Sequence, residues 1–254
     1  MDYTAKELMV LSAARRIQNK DVVFCGTGIS MLAAVAAKHI YAPDCMIFFE
    51  TGAIDAKLED LPLAVADSRV MYQAANFCSL TESFALMQNR ITGDRIVGII
   101  GAAQIDPYGS LNSTMIGDYK NTKARFPGSG GACDVASFVN TNIIFMVLQK
   151  RKFVEKLPYV TSPGWLGGPE GRTEAGIPPN GPSCVITDMG IMEFDSETRR
   201  MYLSGVYPGV EPEYIRENVG FDMDVSRAVV VDPPRASELE ILRTQTDPQG
   251  LILN

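Results

Sequence analysis

The chain has 254 residues, 46% of them hydrophobic and 21% charged, with a formal net charge of −7. That length can bury a core without staples and suits one large α/β domain or two small ones. The composition is that of a soluble globular protein, and the acidic balance argues against a general nucleic-acid or membrane-surface binder.

Thr4 with Glu7 three residues later is a capping-box pattern, and Leu8, Leu11, Ala14 and Ile17 continue it at helical spacing. The start, Met1 to Leu8, is polar and carries acids, unlike a signal peptide. No stretch approaches the roughly 18 uninterrupted apolar residues of a membrane span, so none is expected, and the odd, widely spaced cysteines read as reduced thiols of a cytoplasmic protein. Asp21 to Cys25 reads as a short buried strand. Gly26-Thr27-Gly28 turns it into an Ala-rich helix from Ser30 to His39. A dinucleotide fingerprint would need a third glycine where Met31 stands, so a close-approach turn is the better reading.

Cys45 to Phe49 reads as a second buried strand, ending at Glu50 where Thr51-Gly52 must turn the chain. A carboxylate at the mouth of an apolar strand is costly unless paired, solvated or used. Open α/β sheets place their chemistry at strand C-terminal ends. Glu50 is therefore either a base, metal ligand or nucleophile, or a strand-end residue bonded to loop amides or the next helix.

Residues 84–89 read as helical, and Arg95 to Gly101 as a strand buried on both faces. Asp106-Pro107-Tyr108-Gly109 is a turn signature beside Gln104, Asn112 and Ser113, neutral polar groups suited to hydrogen-bonding a carbonyl or cofactor. Gly128-Ser129-Gly130-Gly131-Ala132 is either a plain loop or a nest of amides able to hold an oxyanion. Thr141 to Leu148 is a further strand, and Lys150-Arg151-Lys152 reads as a solvated turn, with an anion-binding role the less favoured alternative. Residues 162–182 alternate glycine and proline around the only tryptophan, Trp165. A loop of that length is usually functional or partner-facing. Cys184 to Asp195 reads as a hairpin turning at Asp188-Met189-Gly190, with Met201 to Leu203 as a third strand. Pro212 to Val219 and Ala236 to Thr244 are amphipathic helices, and one domain over residues 1–254 is the economical division.

The five cysteines form no CxxC pair, so neither a zinc site nor a disulfide framework is suggested. The single histidine, His39, makes histidine triads and multi-histidine metal sites poor candidates. At a helix end it reads as a cation complementing the dipole.

Three blocks together carry a resemblance. Phe48-Phe49-Glu50-Thr51-Gly52 resembles the Glu-containing block of family I CoA-transferases. Gly101 to Thr114, with Gln104, Asp106, Gly109 and Asn112, resembles their G-A-x-Q-[VI]-D-x-x-G-N-x-N block, with Ser110 where many members have Asn. Gly128 to Asp134 is similar to their G-x-G-G-A-x-D block. Thr161 to Trp165 and Gly220-Phe221-Asp222 resemble B subunits of the glutaconate type, in order along essentially the whole chain.

The resemblance implies an open, mostly parallel sheet flanked by helices, with a glycine/proline-rich loop and a small antiparallel hairpin region. It implies an A subunit as partner in an A2B2 or larger hetero-oligomer. The substrates would be an acyl-CoA and a carboxylic acid, short dicarboxylic or branched, such as glutaconate. Coenzyme A would be a substrate, with no permanently bound cofactor and no metal. Glu50 would be the nucleophile of a ping-pong reaction through an anhydride and a glutamyl-CoA thioester. Such an attacker needs no histidine base, because glutamic acid is ordinarily ionised at neutral pH. Gly130 or Gly131 would supply the oxyanion amide, Gln104, Asn112 and Ser129 would lie beside the CoA path, and Gly26 and Gly28 would line the same cleft. Two alternatives stay open: a hydrolase or decarboxylase of a dicarboxylic acyl-CoA, and a non-catalytic partner using residues 162–182 as its interface.

Overall fold

Thr4 opens the first helix as its sequence predicts. Its hydroxyl accepts from the Glu7 amide at 3.1 Å, and its own amide donates to Glu7 Oε2 at 2.8 Å. The computed structural model describes residues 2–88 and 95–254. It divides into two compact units, Met1–Ile100 with Pro233–Asn254, and Gly101–Asp232.

The first unit begins with α1 (Ala5–Ala14), β1 (Val22–Cys25), α2 (Ile29–Ile40), β2 (Met46–Phe48), β3 (Ala53–Ile54), β4 (Asn76–Phe77), α3 (Leu80–Met87) and β5 (Ile96–Gly101). β1 pairs in parallel with β5 on one side and β2 on the other, and β2–β3–β4 continue antiparallel. β1 is buried throughout, as a strand covered on both faces must be. Ala33, Ala34, Ala36 and Ala37 of α2 are fully buried, so that helix packs closely against α1 and β1.

The second unit holds β6 (Gln104–Ile105), β7 (Leu111–Asn112), β8 (Met115–Asp118), β9 (Asn121–Arg125), α4 (Ala132–Phe138), β10 (Thr141–Phe145), α5 (Gly171–Glu174), β11 (Pro182–Ile186), β12 (Gly190–Phe194), β13 (Met201–Val206), α6 (Pro212–Glu217) and β14 (Val229–Val230). β10 is parallel to β11, β11–β12–β13 form an antiparallel meander, and β14 returns parallel to β13. β6–β7 and β8–β9 are two small antiparallel hairpins. The α/β plan therefore holds in each unit. The chain then returns to the first unit as α7 (Ala236–Ile241), which packs on α2. Arg15 and Tyr41 bond Glu238, and Arg243 bonds Glu7, tying this tail to the N-terminal helices.

Several predicted bounds shift. The helix expected over 84–89 starts earlier, at Leu80, because Ser79 and Glu82 make a second capping box; Asn89 lies outside the described residues. β10 stops at Phe145, and the amide of Leu148 turns to Asp188 instead. The glycine/proline segment over 162–182 carries the short helix α5, gathered around Arg172, which has no exposed surface.

Candidate functional site

Glu50 sits in the turn between β2 and β3. The Gly52 amide donates to the Phe49 carbonyl at 2.9 Å and closes that turn, while the Phe49 amide bonds the Ala53 carbonyl at 3.0 Å. The Phe49 carbonyl also accepts from Ser83 Oγ at 2.8 Å, a hydroxyl with no exposed surface. The turn is thus pinned from both sides. Phe48 and Phe49 are fully buried, whereas Glu50 is only half-buried. Among the described residues its carboxylate has no hydrogen-bond or ion-pair partner. The structural role left open by the sequence, capping a helix or bonding loop amides, is not what this side chain does.

Gly26 and Gly28 belong to the same unit. Phe24 of β1 pairs with Phe48 of β2, so Gly26 and Glu50 each stand two residues beyond a shared rung. Gly28 caps α2 with a φ of +73°, a conformation glycine adopts without steric cost. A Cβ at either glycine would meet nothing within 4 Å, so the chain's own packing does not fill that space.

In the second unit, Gln104 and Asn112 face each other across β6–β7. Asn112 Nδ2 donates to Gln104 Oε1 at 2.9 Å and to the Met115 carbonyl at 2.7 Å, and Gln104 Nε2 donates to the Arg151 carbonyl at 3.2 Å. Both side chains are buried, so they frame the strand ends and present no free donor to solvent. Asp106 Oδ1 accepts from the amides of Tyr108 and Ser110, each at 2.9 Å, and burial pushes its carboxyl above the usual range. Ser110 is buried in this turn and accepts from the Gly164 amide, so the departure from Asn is absorbed by the chain itself.

Gly128 to Gly131 lead into α4. The Gly128 amide bonds the Ser113 carbonyl at 2.9 Å, and Ser129 Oγ accepts from the Cys133 amide at 2.9 Å. Gly130 has a φ of +50° and is exposed. Among the described residues no acceptor is found for the amides of Gly130 and Gly131. Two successive unpaired N–H groups in a glycine turn are suited to an anionic oxygen.

A model of the coenzyme A transferase family matches residues 7–218. The chain belongs to that family. It is 44% identical to the B subunit of glutaconate CoA-transferase from Acidaminococcus fermentans, over 97% of this chain and 94% of the relative. It is 37% identical to the B subunit of 3-oxoadipate CoA-transferase from Pseudomonas knackmussii, over 95% and 92%. The crystal structure of glutaconate coenzyme A-transferase from A. fermentans superposes with a TM-score of 0.96 at 42% identity, covering 100% of this chain and 98% of that one.

Other residues of this CoA-transferase chain take structural roles. His39 stands in the last turn of α2, where the sequence places it; partial desolvation, with Lys38 beside it, pushes its pKa down, and Nδ1 lies 3.1 Å from Thr246 Oγ1. Lys38 of the same turn pairs with Asp55. Cys25, Cys45 and Cys184 are buried thiols, and burial raises the Cys45 pKa to about 11. Among the described residues no group of three or more His, Cys, Asp or Glu is placed to hold a metal ion, and no helix is long and apolar enough to cross a membrane. Ser83 and Cys78, which hold the Glu50 turn, carry no signal in the sequence; only the turn glycine Gly52 does.

Proposed function

We propose that this chain is the B subunit of a heteromeric CoA-transferase that moves coenzyme A between an acyl-CoA and a carboxylic acid. The observation that carries the reading is Glu50: a half-buried carboxylate, fixed by a pinned turn at a strand end, with no partner among the described residues. A Glu oxygen bonds to the thioester carbonyl carbon and the C–S bond breaks, giving an acyl–glutamyl anhydride and CoA thiolate. The thiolate attacks the glutamyl carbonyl, the anhydride C–O bond breaks, and the first acid leaves as its carboxylate. Glu50 then carries CoA as a thioester, and a second carboxylate runs the steps backwards.

The amide of Gly130 or Gly131 is assigned to the tetrahedral oxyanion, a contribution typically worth about 10²–10³ in rate. Gln104 and Asn112 belong beside the CoA path as its buried frame, with the half-buried Ser129 near them in the reading, and Gly26 and Gly28 leave room for the substrate next to Glu50. Similarity to the B subunits of glutaconate and 3-oxoadipate CoA-transferases supports a short dicarboxylic acyl group and an A subunit as partner; an A2B2 or larger assembly and a cytoplasmic setting are part of the same proposal. Coenzyme A is substrate, and no permanently bound cofactor is invoked.

The test is CoA transfer from glutaconyl-CoA to a second acid by the co-purified A–B complex, with Glu50→Ala and Glu50→Gln alongside. Loss of at least about 10³ in kcat for both variants is expected for a covalent nucleophile. Full activity of Glu50→Ala would leave the chain a non-catalytic partner. Thioester loss that needs no acceptor acid would make it a hydrolase or decarboxylase.

A further inference from the structure

The hairpin β8–β9 is a cationic feature that the proposed chemistry leaves unused. Lys120, Lys123 and Arg125 fall within six residues, with Asp118 the only acid on the hairpin, in a chain whose net charge is −7. All three are exposed, and among the described residues none has a carboxylate partner. Lysines on a solvent-facing hairpin guard its edges against pairing with other chains. Edge protection does not account for the aromatic groups beside them. Tyr119 at the turn is 62% exposed, and its ring stacks on that of Tyr159, itself 39% exposed, at 6.0 Å and 22°. The Arg125 guanidinium lies 5.6 Å from the Tyr119 ring centroid.

The hairpin is also continuous with the glycine turn of the same unit. Arg125 pairs with Met115, the Phe126 amide then bonds the Thr114 carbonyl, and the Gly128 amide bonds the Ser113 carbonyl. The ladder thus runs from the Tyr119–Lys120 turn directly into Gly128–Gly131. Residues 121–127 join the two turns. An extra residue in β9, opposite the step from Ile116 to Gly117, strengthens the local twist.

We propose that this hairpin binds the nucleotide end of coenzyme A, with the tyrosine pair presenting a face to adenine and Lys120, Lys123 and Arg125 meeting the phosphates. The assignment rests on the CoA-transferase reading and adds to it a place for the part of the substrate that does not react. Exposed rings are platforms for a base, and cations without carboxylate partners are free for charge-assisted bonds to phosphate oxygens. A local positive field on an acidic chain also steers a polyanion to one face.

The experiment measures binding of CoA, pantetheine and adenosine 3′,5′-bisphosphate to the A–B complex by calorimetry, for wild type and for K120A/K123A. KM for glutaconyl-CoA and for glutaconyl-pantetheine is measured in parallel. Both lysines are exposed, so the fold does not depend on them. The proposal expects CoA to bind roughly tenfold or more weakly to the variant, with a matching rise in KM for glutaconyl-CoA. Pantetheine affinity and the KM for its thioester stay as in wild type, and the bisphosphate competes with CoA in wild type only. Equal losses for both thioesters would assign the lysines to structure or assembly, and no change for either would remove them from the site; both overturn it. Inorganic phosphate competing as well as the bisphosphate would overturn the nucleotide assignment. If wild type transfers no CoA, the transferase reading fails by itself, and the calorimetric arms still decide the hairpin.

Discussion

A Cβ on Gly52 would stand 1.8 Å from the carbonyl oxygen of Cys78. No side chain fits there, and Gly52 also holds a φ of +96°. Cys78 answers with two bonds to the Gly52 carbonyl, from its amide at 2.9 Å and its thiol at 3.4 Å. The close approach of these two residues fixes the turn that carries Glu50.

Gly52→Ala therefore has to break that turn. It is expected to cost about 2–4 kcal/mol from steric overlap and a left-handed alanine together. Transfer activity should fall further than the stability loss explains, because Glu50 is re-aimed. Ser83→Ala, which only deprives the Phe49 carbonyl of its hydroxyl, should cost about 1–3 kcal/mol and keep most of the activity. Urea unfolding and kcat on the same preparations check both.

Arg172 is fully buried and faces carbonyls alone. Its guanidinium bonds Ala136 at 3.1 Å and Ser137 at 2.8 Å in the last turn of α4, Gly164 at 2.9 Å and Pro178 at 2.8 Å. Burial lowers its pKa to about 10, which leaves it charged at neutral pH. Arg172→Met orphans several buried acceptors at once and is expected to cost at least about 3 kcal/mol. Limited proteolysis should then cut within 162–182, and Arg172→Lys should restore only part of the protection.

Acid should loosen the tail before the sheet. Burial pushes the Glu7 carboxyl up, but bonds from Arg243 and from Thr4 outweigh it and hold the pKa below its ordinary value. Burial also pushes Glu238 up, and bonds from Tyr41, the Arg235 amide and Arg15 outweigh it likewise. A carboxyl whose folded pKa is lowered contributes stability above its unfolded pKa and loses it as pH falls through the folded one. Stability should therefore be flat down to about pH 4.5 on account of these two groups and decline below it. Hydrogen exchange across pH 3–6 should show Ala236 to Thr246 opening first, and Glu7→Gln should remove part of the acid dependence.

Much of the first unit is legible in the sequence because its signals are local. The capping box at Thr4, the apolar runs of β1 and β2, and the turn at Gly52 each lie within a few residues. The role of Glu50 is not legible in the same way, because its lack of a partner depends on what Phe49, Ser83 and Cys78 do with the surrounding backbone. The hairpin β8–β9 has no sequence signal of its own. Asn121 to Arg125 shows no apolar alternation and is held by its register with Met115–Asp118. Arg172 is hidden in a glycine/proline-rich stretch, and its acceptors on α4 are 35 and 36 residues away in sequence.

The most direct test of the central claim is the intact mass of the A–B complex after glutaconyl-CoA and then borohydride. Borohydride reduces a glutamyl thioester to an alcohol, so this chain should lose about 14 Da at Glu50. The loss should be absent without acyl-CoA and absent in Glu50→Ala. Steady transfer of CoA with no such change in mass, or with the change on another residue, would contradict the assignment of Glu50 as the nucleophile.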